Sequence, residues 1–170
     1  MSDPLSLILK HRQSGALLDA NLLLVYVVGK YDKDCLRQFH HTKQYTNDFG
    51  LIKGLVEFFS VLYTTPNVLT EVSNLGGKLK SEAFFSTLKA AVLVLKEQYC
   101  ASSDAVATPG FEWLGLTDAG IMRLAANEFL VLTADWPLYN MLVSKNVDAV
   151  NINHLRQIKW SAQLQAPRFA

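Results

Sequence analysis

The sequence predicts an α/β protein built on a parallel sheet with helices on both faces. Three observations predict it. Short apolar runs that end in an acid or a hydroxyl alternate with longer helix-patterned segments, the order of a βαβ chain. Phe129-Leu-Val-Leu-Thr133 is apolar until its last residue, as strands covered on both faces are. Nine Gly and five Pro among 170 residues are too few for a sandwich of many short strands. Half of the residues are hydrophobic and 18% are charged, so the chain can bury a sizeable core and global disorder is excluded. The length fits one domain over 1–170, with an extended polar segment around 30–53.

Gly15-Ala-Leu-Leu-Asp19 reads as a strand ending in an acid, and Ala20 to Val28 as a helix stopped by Gly29. After the polar stretch Lys30 to Lys53, Leu55 to Tyr63 reads as a helix running into a second short strand. Val68, Leu69, Val72 and Leu75 have helical spacing between Pro66 and Gly76-Gly77, which puts Glu71 on the polar side about one turn in. Ser81 to Gln98 lacks Gly and Pro and is expected to be the longest helix, a packing element. Ala101 to Gly110, small and polar, is expected to be a loop. Thr117 is expected to cap a helix with Asp118 in its first turn. Phe129–Thr133 is a buried strand, Asp135-Trp136-Pro137 opens another helix, and Ala149–Ile152 is a last strand before a last helix.

Sixteen basic against fifteen acidic residues create no overall field for nucleic acid or anionic membrane. The charge-free stretch Phe58 to Thr70 is far shorter than the ~18 apolar residues of a membrane span, so no membrane association is expected. Met1-Ser2-Asp3-Pro4 has no basic segment feeding an apolar run with a small-residue cleavage site, so no secretory signal and a cytoplasmic location are expected. Cys35 and Cys100 belong to no Cys-x-x-Cys pair and are read as core thiols.

In parallel sheets ligands bind beyond the carboxyl ends of the strands. Asp19, Glu71, Asp118 and Asp135 all fall at that predicted edge, with Asn21, Thr117 and Thr133 as hydroxyl and amide neighbours. Such carboxylates repel one another and raise one another's pKa unless a cation lies among them. Hard cations such as Mg²⁺ and Mn²⁺ prefer carboxylate and water oxygens, and a pair of such ions can clamp the attacking and leaving oxygens of phosphodiester hydrolysis. Singly, each acid also suits a helix cap or a solvated surface.

Leu17-Leu18-Asp19-Ala20-Asn21, Pro66-Asn67-Val68-Leu69-Thr70-Glu71-Val72, Leu116-Thr117-Asp118-Ala119-Gly120-Ile121 and Leu130-Val131-Leu132-Thr133-Ala134-Asp135 resemble, in order, the four acidic motifs of PIN domains. The acids are spaced by 52, 47 and 17 positions, and the resemblance runs from about Gly15 to Asn153. It implies a five-stranded parallel sheet and a Mg²⁺- or Mn²⁺-dependent endoribonuclease. Asp19, Glu71, Asp118 and Asp135 would hold metal and carry catalysis, supported by Asn21 and Thr133. Bacterial members include toxins of toxin–antitoxin pairs, which implies an RNA substrate, an antitoxin protein and often a homodimer. Compared with compact toxin members, the stretch between the first two acids is longer, and Ala134 stands where an Arg often precedes the last acid.

Without the four acids, 16 basic side chains face 11 acidic ones, and Lys145, Arg156, Lys159 and Arg168 make the C-terminal stretch basic. Arg156 and Lys159 are candidate RNA contacts. Trp136, next to the last acid, is a candidate for stacking on a base. Trp113 and Trp160 have no distinguishing sequence context, and His40-His41 lacks a third ligand at zinc spacing. The competing reading is a PIN-like module that binds RNA or protein through the segment between Tyr31 and Lys53 and catalyses nothing.

Overall fold

A computed structural model describes residues 3–126 and 128–156 of the chain. It opens with α1 (Pro4–Lys10), β1 (Ala16–Leu18), α2 (Ala20–Tyr31), α3 (Lys33–Gln38), a 3₁₀ helix (Lys43–Asp48) and α4 (Phe49–Phe58). Next come β2 (Leu62–Thr64), α5 (Pro66–Gly76), a 3₁₀ turn (Gly77–Leu79), α6 (Glu82–Val92), β3 (Lys96–Glu97), α7 (Ser102–Val106) and α8 (Phe111–Leu124). The described part closes with β4 (Leu130–Thr133), α9 (Trp136–Ser144), β5 (Ala149–Asn151) and α10 (Ile152–Leu155).

The five strands form one all-parallel sheet in the order β3-β2-β1-β4-β5. The α/β class and the parallel sheet are therefore as the sequence predicts. β1 and β4 lie side by side in the middle, and every residue of both is buried, so both faces of the sheet must be covered. Parallel crossovers are right-handed, which puts the helices between β1 and β3 on one face and the helix between β4 and β5 on the other. Accordingly α2 packs against α3, α4, α5 and α6, whereas α9 packs on β4 and β5. At the opposite end from the acids, α1 is tied to the loop before β5: Lys10 Nζ and His11 Nε2 lie 2.6 and 2.8 Å from Asp148 Oδ2.

The chain moves outward one way from β1 to β3 and the other way from β4 to β5. The strand order thus reverses between β1 and β4, and a crevice opens beyond their carboxyl ends. Register pairs Leu18 with Leu132, and the Asp19 N–H continues the ladder to the Leu132 carbonyl at 3.0 Å. Asp19 is thereby set at the point of reversal.

Several elements differ from the sequence reading. α1 was not expected, although Asp3 caps it by accepting from Ser6 N–H at 2.9 Å and Pro4 fills its first turn. Gly29 does not stop α2; the ring of Phe49 packs so closely there that a Cβ would come within 2.3 Å of it. The expected long helix from Ser81 ends at Val92, and Lys96-Glu97 leaves it to pair with β2 as an edge strand. Leu93 and Val94 are 76% and 78% exposed, so no burial holds the helix together beyond that point. The expected loop at 101–110 contains α7. Thr117 caps nothing, because the break lies at Gly115, whose φ of 73° and ψ of −179° interrupt α8 in a conformation that suits glycine. Both cysteines are free and only partly buried; Cys35 packs against the edge of the core, whereas Cys100 is not part of it. No helix among the described residues is long and apolar enough to cross a membrane.

Thr64, at the end of β2, is 1% exposed, and its hydroxyl finds no partner among the described residues. An unpaired buried hydroxyl costs about 1–3 kcal/mol. Thr64→Val, which keeps the shape and removes the polar atom, is expected to raise stability by about 1 kcal/mol. A urea midpoint at or below that of wild type would contradict this.

Candidate functional site

Each acid reaches the crevice through local structure that its own sequence dictates. Asp19 directly follows β1 and caps α2, its Oδ1 accepting from Leu22 N–H at 2.7 Å. Its Oδ2 accepts from the Thr133 hydroxyl and from Ala134 N–H at 3.1 Å. Thr133 ends β4, and its Oγ1 also accepts from Asp135 N–H at 2.8 Å. One hydroxyl therefore fixes both acids across the point of strand reversal. Asp135 caps α9 by accepting from Leu138 N–H at 2.8 Å. The N-termini of α2 and α9 thus converge on the crevice, and their partial positive charge favours anions there.

Glu71 comes from the second turn of α5, which starts after β2 behind the capping Thr65. Asp118 follows the break at Gly115 and enters from α8. Asp19, Asn21, Glu71, Thr117 and Asp118 line one cleft of about 260 Å³, whose remaining wall includes Leu114, Gly115 and Leu116. Asp135 lies outside this lining but within electrostatic reach of Asp19 and Asp118.

Burial pushes the Asp19 carboxyl up to about 6, against the hydrogen bonds from Thr133, Leu22 and Ala134, which favour its charge. Asp118 is pushed further, to about 7, by burial and then by the charges of Asp19, Asp135 and Glu71. The four acids from distant parts of the chain thus form one electrostatic unit. No hydrogen bond or ion pair from the described residues reaches the carboxylates of Glu71 or Asp118.

Among the described residues no group of three His, Cys, Asp or Glu is gathered tightly enough to hold a metal ion by itself. The donor set is nevertheless hard, anionic and uncompensated, which fits an ion that keeps several waters and takes one or two carboxylates. Glu71 and Asp118 have carboxylates free for this, whereas both oxygens of Asp19 already accept from the protein.

The other candidates are placed differently. Trp136 is 45% exposed, with its ring centroid 5.8 Å from Tyr139 and 5.1 Å from His154. Arg156 is engaged with Asp48: its Nε donates to Oδ1 at 2.9 Å and its Nη2 to Oδ2. Lys159 lies outside the described residues. His41 Nε2 lies 3.2 Å from Lys78 Nζ, and burial, then the charges of Lys78 and His40, holds its pKa below the ordinary value.

Sequence reasoning missed Tyr45. It lies in the 3₁₀ helix Lys43–Asp48, where residues three apart share a face, so Tyr45 lies on the side of Asp48. Burial and then the charge of Asp19 raise its hydroxyl pKa, with Asp135 adding to the rise and Arg156 opposing it. The polar segment around 30–53 therefore brings a phenol to the acids. No local signal marks it, since the tether spans 108 positions.

Comparisons with protein-family models, with curated proteins and with solved structures find no match to this chain.

Proposed function

We propose that the protein is a Mg²⁺- or Mn²⁺-dependent endoribonuclease with a PIN-like fold. One observation carries this reading: four acids from separate elements face the crevice where the strand order reverses, and burial, then the charges of Asp19, Asp135 and Glu71, raises the pKa of Asp118 with no protein cation to offset it. The order of the four acidic motifs supports it. Glu71 and Asp118 would hold the metal, Asp135 would add charge beside them, and Asp19 would organise the floor.

A bound divalent ion would supply a Lewis acid at the phosphodiester and a water of lowered pKa. The chain's own residues would do the rest. Thr133 keeps the charged form of Asp19 in place, the Asn21 amide on the cleft wall can donate to a phosphate oxygen, and the N-termini of α2 and α9 favour the anion. As a toxin, the protein would also have an antitoxin covering this cleft and a second copy as partner.

The experiment is cleavage of single-stranded and structured RNAs with Mn²⁺, Mg²⁺ or EDTA. Metal-dependent cutting is expected. One observation favours a non-catalytic interaction module instead: Asp19, the most buried of the acids, has its oxygens occupied by three internal donors. Under that reading calorimetry would detect no Mn²⁺ binding and no RNA would be cut.

A further inference from the structure

Resting on the nuclease reading, we propose that the cleft takes single-stranded RNA and that an unpaired base stacks on Trp113 at its rim. Trp113 is 87% exposed, the most exposed of the large hydrophobic side chains among the described residues. Its ring makes no aromatic contact among the described residues, unlike Trp136, which packs on Tyr139 and His154. An indole so open has at least one face available for a planar partner.

Its position gives the exposure a use. Gly115 breaks α8 and separates its first turn, Phe111–Leu114, from the segment carrying Asp118. Leu114, Gly115 and Leu116 line the cleft. Trp113 immediately precedes this stretch of the cleft wall in the chain, five residues before Asp118, an acid assigned above to the metal. A Cβ at Gly115 would meet nothing within 4 Å, so the space beside the break is open.

Stacking selects single strands, because a duplex keeps its base faces against one another while every unpaired base offers a π-face. The exposed apolar surface on α8 and the adjoining α7 is modest: Leu116 is 38% exposed and Val106 48%, and the exposed Glu112 precedes Trp113 in the chain. A protein anchor would be expected within a larger patch, with surrounding contacts that exclude water. An isolated ring beside a phosphate site suits a nucleobase better.

The test compares wild type with Trp113→Ala as full-length chains in Ca²⁺, using a short single-stranded RNA and the same RNA annealed to its complement. Tryptophan fluorescence reports binding, and Mn²⁺-dependent cleavage is measured separately. The single strand is expected to quench the wild-type emission. Trp113→Ala should lose most of that quench and bind on the order of tenfold more weakly or worse, while the duplex binds weakly to both. Its thermal transition and Mn²⁺ affinity should match those of wild type.

Equal single-strand binding by both proteins overturns the proposal, and if wild type still cleaves RNA the nuclease reading survives. Trp113-dependent binding without cleavage by wild type supports the stacking site and overturns the nuclease. No RNA binding by wild type overturns the stacking site. If Trp113→Ala instead dissociates a dimer in sedimentation and leaves RNA binding unchanged, this face is an interface between copies and the proposal is wrong.

Discussion

In EDTA at about pH 8, Asp118→Asn is expected to unfold at a higher temperature than wild type, and in Mn²⁺ to cleave RNA at least about 100-fold more slowly. The two effects have one cause. The Asp118 carboxyl is raised from 3.8 to about 7 by burial and by the charges of Asp19, Asp135 and Glu71. Between about pH 4 and pH 7 the folded chain retains a proton that the unfolded chain has released, so stability falls as pH rises through this window. The contribution is fully present below the unfolded pKa and is lost above the folded one. A shift of this size corresponds to something on the order of 4 kcal/mol, which the neutral amide returns at pH 8. The two proteins should converge near pH 4.

Asp19→Asn is a poorer probe. The Asp19 oxygens accept from Leu22, Ala134 and Thr133, so an amide NH₂ in either orientation faces a backbone N–H. That conflict costs about 1–3 kcal/mol and offsets the relieved repulsion. A gain in stability for Asp118→Asn without loss of cleavage would confirm that burial and repulsion make this carboxylate costly to charge and would remove it from the catalytic site. Equal stability at every pH would remove both the burial cost and the repulsion as the basis of this prediction.

What is legible in the sequence follows the range of the interactions responsible. β1, β4 and the caps at Asp19 and Asp135 depend on apolar runs and side-chain bonds to N–H groups three residues on, so a short window contains them. From these the edge bearing the acids can be located. β3 is only Lys96-Glu97, charged and exposed, with neither alternation nor an apolar run to announce it. Its pairing with Tyr63 and Thr64 is a tertiary fact, and the helix pattern before it hides the end of α6. Thr117 resembles a cap because hydroxyls commonly cap helices, but the geometry of Gly115 decides where that turn begins.

The least legible feature is the tether of the 30–53 segment, and breaking it is expected to have the second large effect. Asp48 is 5% exposed, and Arg156 engages both of its oxygens. Arg156 follows α10, which is itself tied to the loop bearing Asp135: Asn151 Nδ2 donates to the Asp135 carbonyl at 3.3 Å, and Asn153 Nδ2 to the Ala134 carbonyl at 3.4 Å. The 3₁₀ helix carrying Tyr45 is thus linked to the loop bearing Asp135 through the Asp48–Arg156 pair and, beyond it, the two amide contacts of Asn151 and Asn153. Arg156→Met leaves a buried carboxylate without its partner and is expected to cost about 2–3 kcal/mol, read as a lower urea midpoint with unchanged slope. Arg156→Lys should recover only part of this, because an ammonium cannot reproduce the two-point geometry. Adding Asp48→Asn to Arg156→Met should also restore part of the loss, since the stranded charge is gone. Amide exchange over 43–48 should quicken in Arg156→Met, with slower cleavage as Tyr45 leaves its place beside Asp19. A change within about 0.5 kcal/mol would instead mean that solvent around the half-exposed guanidinium screens the pair to the small value of surface ion pairs, leaving packing to hold the segment.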